Sequence, residues 1–175
     1  MIFCIERQNE FIIGVDYVKN ITRIFPHTPT INDISKSITK IRFCYAFTTE
    51  INFNIIPPNV EFLEIVNLHK DTKLKYIPSS IKNLILGIGC KTNLHDDSIP
   101  LHINEISLFP DNPIINLLPN TISILNINYF TSPFVNSPQY PIKNLPCNLL
   151  TITLSNEALL KNIKIPFGCN IKIIK

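Results

Sequence analysis

Four histidines (His27, His69, His95, His102) and five cysteines (Cys4, Cys44, Cys90, Cys147, Cys169) are the side chains of this 175-residue chain best suited to metal or nucleophilic chemistry. Their spacing argues against both. No C-x-x-C or H-x-x-x-H pair occurs, so neither a zinc site nor a disulfide framework is indicated, and reduced thiols packed as small apolar groups are expected. His69 with His95-Asp96 has the outline of a metal-dependent phosphate-ester hydrolase. Such a site is built on helices, and these residues fall between short β-type segments. Asp71, Asp97 and Asp111 are the carboxylates that acid–base work on a coiled β scaffold would require. They sit at different offsets in their segments, out of register with one another. Phosphate-cradling glycine loops and Ser-His-Asp candidates are absent from the sequence as well. The expectation is therefore a non-enzymatic chain with no catalytic residue, metal or cofactor.

The elements that would hold any site are written in the composition and its period. Thirty-three Ile and 21 Asn fill 54 positions, against 2 Ala, 4 Gly and no Trp. So much β-branched side chain and so little Ala argues for strands over a helical bundle. Hydrophobic residues at 45% and charged ones at 17% exclude a disordered chain. Apolar runs fall well short of the roughly 20 residues that span a bilayer, so no membrane partner is expected. The start, MIFCIERQNE, lacks the basic-then-apolar layout of a secretory leader, which points to an intracellular product. A net charge of +3 is too mild to imply nucleic acid. The four lysines from Lys161 to Lys175, with no acid among them, leave polyanion binding as a minor reading.

One pattern recurs: apolar, Pro, two variable, apolar, two variable, apolar, one variable, apolar. It runs through IPPNVEFLEI (56–65), IPSSIKNLIL (77–86), IPLHINEISL (99–108), LPNTISILNI (118–127) and LPCNLLTITL (145–154). ISKSITKIRF (34–43) keeps the apolar positions with Ser35 in place of Pro, and a shortened copy begins at Ile165. Successive starts differ by 22, 21, 22, 19, 27 and 20 residues. Offsets 0, +4 and +7 alone would suit a helix. The two-residue step from +7 to +9 and the Ile-rich composition decide for a Pro-started turn, a strand of about five residues and an irregular return. A unit this small cannot bury its own apolar face, so units must stack, with their strands in one parallel sheet.

This pattern resembles that of leucine-rich repeat proteins, and more closely their FNIP subfamily with units of about 22 residues. IPSSIKNLILG (77–87) is similar to the FNIP consensus L-P-x-S-L-x-x-L-x-F-G, glycine included, and FNIIP (53–57) to the element behind the name. The resemblance covers residues 34–175 and implies a right-handed, leucine-rich-repeat-like solenoid, mainly β, of six to seven units. It departs from the family at +12, where ordinary leucine-rich repeats carry an asparagine ladder and this chain has Ala46, Leu68, Gly89, Asp111 and Phe130. Similar chains are common in social amoebae and amoeba-infecting giant viruses. That implies a viral or amoebal protein located in the cytoplasm, the host cytoplasm or the virion.

Residues 1–33 do not repeat cleanly. They are expected to cap the first coil, with MIFCIE and FIIGV as a hairpin and YVKNITRIF (17–25) as a short helix, or to be a degenerate extra repeat. CNIKIIK at the far end is expected to be an edge strand. Its lysines either guard against further strand addition or mark a face for a second copy.

Function is expected to lie in protein binding. With +7 and +9 inward, offsets +6, +8 and +10 point outward. Phe62, Ile85, Phe109 and Ile124 would then form an apolar patch across four coils, rimmed by Glu64, Glu105 and the Lys40/Arg42 end, unless the face is covered by the chain itself. The long fifth unit adds TSPFVNSPQYP (131–141), where Phe134 and Tyr140 are candidate contacts of a protruding loop or parts of a tolerated insertion. An unidentified partner protein is the expected ligand. A structural, self-associating subunit using the C-terminal edge is the alternative.

Overall fold

The computed structural model describes residues 4–7, 10–13, 23–25, 34–44, 51–67, 73–90, 99–110, 112–127 and 141–174. Its framework is one ten-stranded sheet. The strands are β1 (Cys4–Arg7), β2 (Glu10–Ile13), β3 (Arg23–Phe25), β4 (Lys40–Phe43) and β5 (Phe62–Asn67). They continue with β6 (Asn83–Gly89), β7 (Glu105–Leu108), β8 (Ile124–Ile127), β9 (Thr151–Leu154) and β10 (Asn170–Ile173). The order is β10-β9-β8-β7-β6-β5-β4-β2-β1-β3, and every pairing from β2 to β10 is parallel. At about 4.8 Å per strand, these eight parallel strands span roughly 34 Å. The molecule is an open, mainly β solenoid of repeats.

Proline sets the geometry of each coil. Its carbonyl accepts a bond from the N–H three residues on, at Val60→Pro57, Ile81→Pro78, Ile103→Pro100, Ile122→Pro119, Leu149→Pro146 and Cys169→Pro166, all 3.0–3.3 Å. The turn uses the proline oxygen and needs no proline N–H, so the ring's fixed φ is gained without losing a donor. In the first unit Ser35 does the same for Ile38. The following carbonyl joins the coils. Thr39 O accepts from Glu61 and Phe62, Glu61 O from Lys82 and Asn83, Lys82 O from Asn104 and Glu105, Asn104 O from Ser123 and Ile124, and Ser123 O from Leu150 and Thr151.

The register places equal offsets side by side, so like residues stack in columns. One inward column holds Phe11, Ile41, Leu63, Leu84, Ile106, Leu125 and Ile152, and the other holds Ile13, Phe43, Ile65, Leu86, Leu108, Ile127 and Leu154; all fourteen are buried. The 0 and +4 residues complete this single core. Its strands are short and its columns are Ile and Leu because each side chain must fill the space above its counterpart one strand away.

At the N-terminal end β1 pairs antiparallel with β2, and β3 antiparallel with β1. Arg23–Phe25, expected to close a short helix, is a strand instead; 17–22 lie outside the described residues. Ile24 pairs with Ile5 across the ladder, and alternating Arg-Ile-Phe suits a strand better than a helical turn. The return segments are less irregular than expected. Phe53–Ile55, Leu74–Tyr76, Pro113–Asn116 and Glu157–Asn162 form 3-10 helices, each burying one or two apolar residues. Asparagines cap three of them: Asn52 accepts from Asn54 N–H, Asn112 from Ile114 N–H and Asn156 from Ala158 N–H. Asn112 is buried and also donates 3.2 Å to the Cys90 carbonyl, tying its return segment to the preceding coil. These asparagines keep place with the return helix and not with the strand before it, which is why no ladder shows at +12.

Candidate protein-binding surface

The outer face of the sheet is built by the residues that alternate with the core columns. β4 contributes Lys40 and Arg42, β2 contributes Glu10, and β5 contributes Phe62 and Glu64. Parallel register sets Glu10 beside Lys40 and Arg42 beside Glu64. Lys40 lies 3.3 Å from Glu10 and 3.1 Å from Glu64, and Arg42 lies 2.9 Å from Glu64. Glu10 and Glu64 are buried beneath this ladder and the two cations are half-buried. Cross-strand pairs of this kind contribute about 0.2–1 kcal/mol each. Their larger effect is to hold four charges in a fixed array. Glu64, expected as a free rim charge, is thus committed to two cations. The ladder's fourth member, Glu10, was missed by sequence reasoning, although EFII aligns with KIRF as Phe11 and Ile13 align with Ile41 and Phe43.

Beside the ladder stands Phe62, 39% exposed, with half-buried Ile85 diagonal to it on β6. These two form an apolar spot. Ile124 is half-buried two strands further on, and a polar group lies between: Asn126 donates 3.0 Å to Glu105 and 3.3 Å to Ser107. Phe109 is only 7% exposed, and Cys44, at the same offset, is buried against Ile12. Offset +10 is therefore covered in these units, Cys44 and Phe109 both being buried outside the main core, and the expected four-coil patch reduces to Phe62 and Ile85 with a separate Ile124. Phe134 and Tyr140 lie outside the described residues, as do His27, His69, His95, Asp71, Asp97 and Asp111.

Gly87 occupies offset +10 of its unit for a physical reason. β5 and β6 lose register there, Ile65 facing Leu86 and Asn67 facing Gly89, so β6 carries one extra residue. A Cβ on Gly87 would lie 2.7 Å from both Cα and O of Val66.

The turn edge of the coils is occupied by its own bonding. Asn59 donates to the carbonyls of Lys36 (3.0 Å) and Ile38, and Asn148 donates 3.3 Å to Asn120, so each reaches back one coil. His102 hydrogen-bonds the Pro78 backbone; burial and then the Lys82 charge push its pKa below the usual value, with the Pro78 bond opposing them. A groove of about 500 Å³ on the return side is lined by Ile51, Asn52, Phe53, Asn54, Lys73 and Tyr76. Cys90 is fully buried, its thiol 3.1 Å from the Ile65 carbonyl, and burial raises its pKa to about 12, so it stays protonated. Cys147 departs from the buried-thiol expectation and is exposed. Among the described residues no cluster of three His, Cys, Asp or Glu could hold a metal ion, and no helix is long and apolar enough to cross a membrane. What the outer face offers is shape and fixed charge.

Stacked parallel strands, proline turns and a single columnar core define a repeat protein of the solenoid class. Residues 27–67, which take in the first unit and the strand of the second, match the family model of the FNIP repeat, so the chain carries FNIP-type repeat sequence there. No curated protein and no solved structure matches it.

Proposed function

We propose that the chain is a non-enzymatic protein-interaction module that binds a partner through the outer sheet face, at Phe62 and Ile85 beside the Glu10–Lys40–Glu64–Arg42 ladder. The observation that carries this reading is Phe62. It is a large apolar side chain left 39% exposed on a strand whose flanking charges are pinned in place. An apolar centre with a polar surround is the layout of protein interfaces. A fitting partner presents an apolar side chain to Phe62 and Ile85 and polar groups to the half-buried cations.

The test is affinity capture from the native cell with the intact chain and with Phe62→Ser/Ile85→Ser, both checked for folding by circular dichroism. Removing a central anchor costs about 2 kcal/mol, roughly 30-fold in affinity. The proteins retained by the intact chain should therefore be depleted from the folded variant. Equal retention by both would remove the sheet face from consideration. The exposed isoleucines of β10 support a second reading, an oligomeric subunit joined edge to edge, although the lysines at that end weigh against it.

A further inference from the structure

Among the side chains that β6, β7, β8 and β9 turn outward at +6 and +8, Glu105 alone is charged. Its setting differs from that of the acids nearer the N-terminal end. Glu10 and Glu64 stand against Lys40 and Arg42 on adjoining strands, where the charges cancel. Glu105 has Asn83 beside it on β6 and Ile124 on β8. Lys82, the residue before β6, is turned to the coil edge: its ammonium donates 2.8 Å to the Ser79 carbonyl, and its charge is felt by His102. Among the described residues Glu105 therefore has no counter-ion.

The carboxylate is nevertheless held in place. Asn126 donates 3.0 Å to Glu105 Oε1 and 3.3 Å to Ser107 Oγ, fixing the group from β8, while Oε2 accepts no bond among the described residues. Apolar side chains flank it. Ile85 on β6 and Ile124 on β8 are half-buried, and Phe62 stands in the same row two strands away, about 10 Å at the spacing of paired strands. A partner seated on Phe62 and Ile85 would cover Glu105 as well. Taking a carboxylate out of water is strongly unfavourable unless a cation meets it, and a neutral donor on Oε2 would leave the charge uncompensated. The Glu10–Lys40–Glu64–Arg42 ladder makes no such demand.

We infer, on the basis that the outer sheet face is the binding surface, that the partner carries a basic side chain, arginine or lysine, which pairs with Glu105. The cation would stand about 10 Å from the side chain that covers Phe62, with its aliphatic stem along Ile85 and Ile124 and its donors on Oε2. An acidic or wholly apolar segment would be disfavoured at this point. Glu105 thus sets specificity where Phe62 sets affinity.

The probe is a phage-displayed library of random dodecapeptides, selected on the intact chain and separately on Phe62→Ser, Glu105→Gln and Glu105→Lys, each checked for folding by circular dichroism. Peptides retained by the intact chain and lost with Phe62→Ser are those that use the sheet face. They should be enriched in Arg and Lys. A synthetic, fluorescein-labelled copy of the strongest should bind Glu105→Gln roughly tenfold or more weakly by anisotropy. Glu105→Gln keeps the shape and the acceptor oxygen for Asn126, so it isolates the charge and suffices alone if Glu105→Lys does not fold. Selection on a folded Glu105→Lys should turn the enrichment toward Asp and Glu. Glu157→Gln, an exposed carboxylate on a return segment, is the control and should leave binding unchanged. Phe62-dependent peptides without basic enrichment, or indifferent to Glu105→Gln, would overturn the pairing while leaving the sheet face as a binding surface. Equal weakening by Glu157→Gln would reduce the effect to general attraction and overturn it too. If no selected peptide depended on Phe62, the sheet-face reading and the pairing would fall together.

Discussion

Ile106→Ala is expected to destabilise the chain by about 2–5 kcal/mol, measured as a shift in the denaturant midpoint. Ile106 is fully buried, with Leu84 on one side and Leu125 on the other. The cavity left by truncation has no means of closing, because proline turns and inter-coil carbonyl bonds fix the distance between strands. A central position also matters more than a terminal one. Each coil is stabilised by its neighbours, so weakening β7 loosens two interfaces at once. The matching control is Ile171→Ala in the last coil. There the side chain already contacts solvent, and the loss should stay below about 1 kcal/mol.

Gly87→Ala should cost about 1–3 kcal/mol, a loss read from thermal unfolding with Gly168→Ala for comparison. The two glycines are constrained for different reasons. At Gly87 the obstacle is backbone: the new methyl would sit 2.7 Å from Val66 Cα and O, and neither can rotate away. The sheet would have to open at the β5–β6 bulge, disturbing Leu86 and Cys90 beneath it. Gly168 has open space around it but adopts φ +79 at its turn, so alanine there meets only the left-handed backbone cost of roughly 1–2 kcal/mol. Unfolding midpoints should therefore show Gly87→Ala as at least as damaging as Gly168→Ala. If Gly87→Ala were neutral, the bulge would not bring the two strands as close as described.

The core was legible in the sequence because the repeat leaves little choice. A coil with a four-residue strand has two inward strand positions, and every coil must fill them with a side chain that fits its neighbour's. Aligning the units by offset therefore predicts the register itself, Lys40 with Phe62 with Asn83 with Glu105. Parts of the surface were less legible. Cys44, Gly87 and Phe109 at +10 are all buried although alternation from +7 and +9 sets them outward, and alternation alone does not say what covers the ends of the strands. The ion-pair ladder links +6 of one unit to +8 of the next and to a strand outside the repeat, so no single unit displays it. The asparagine caps were hidden because they share no offset: Asn52 stands four residues before the next unit at Ile56, Asn112 six before Leu118 and Asn156 nine before Ile165, and Lys73, at the offset of Asn52, begins its 3-10 turn with no side-chain cap.

The central claim is that the repeats stack into one continuous parallel sheet. Residue-resolved amide exchange on the intact chain tests it most directly. In β5 through β9, except at the β5–β6 bulge, each amide should be slow, since an interior strand bonds on both sides. In β10 protection should alternate, slow at Asn170, Lys172 and Ile174 and fast at Ile171 and Ile173. Alternating protection inside β7, or none across 105–108, would make that strand an edge and contradict the stack.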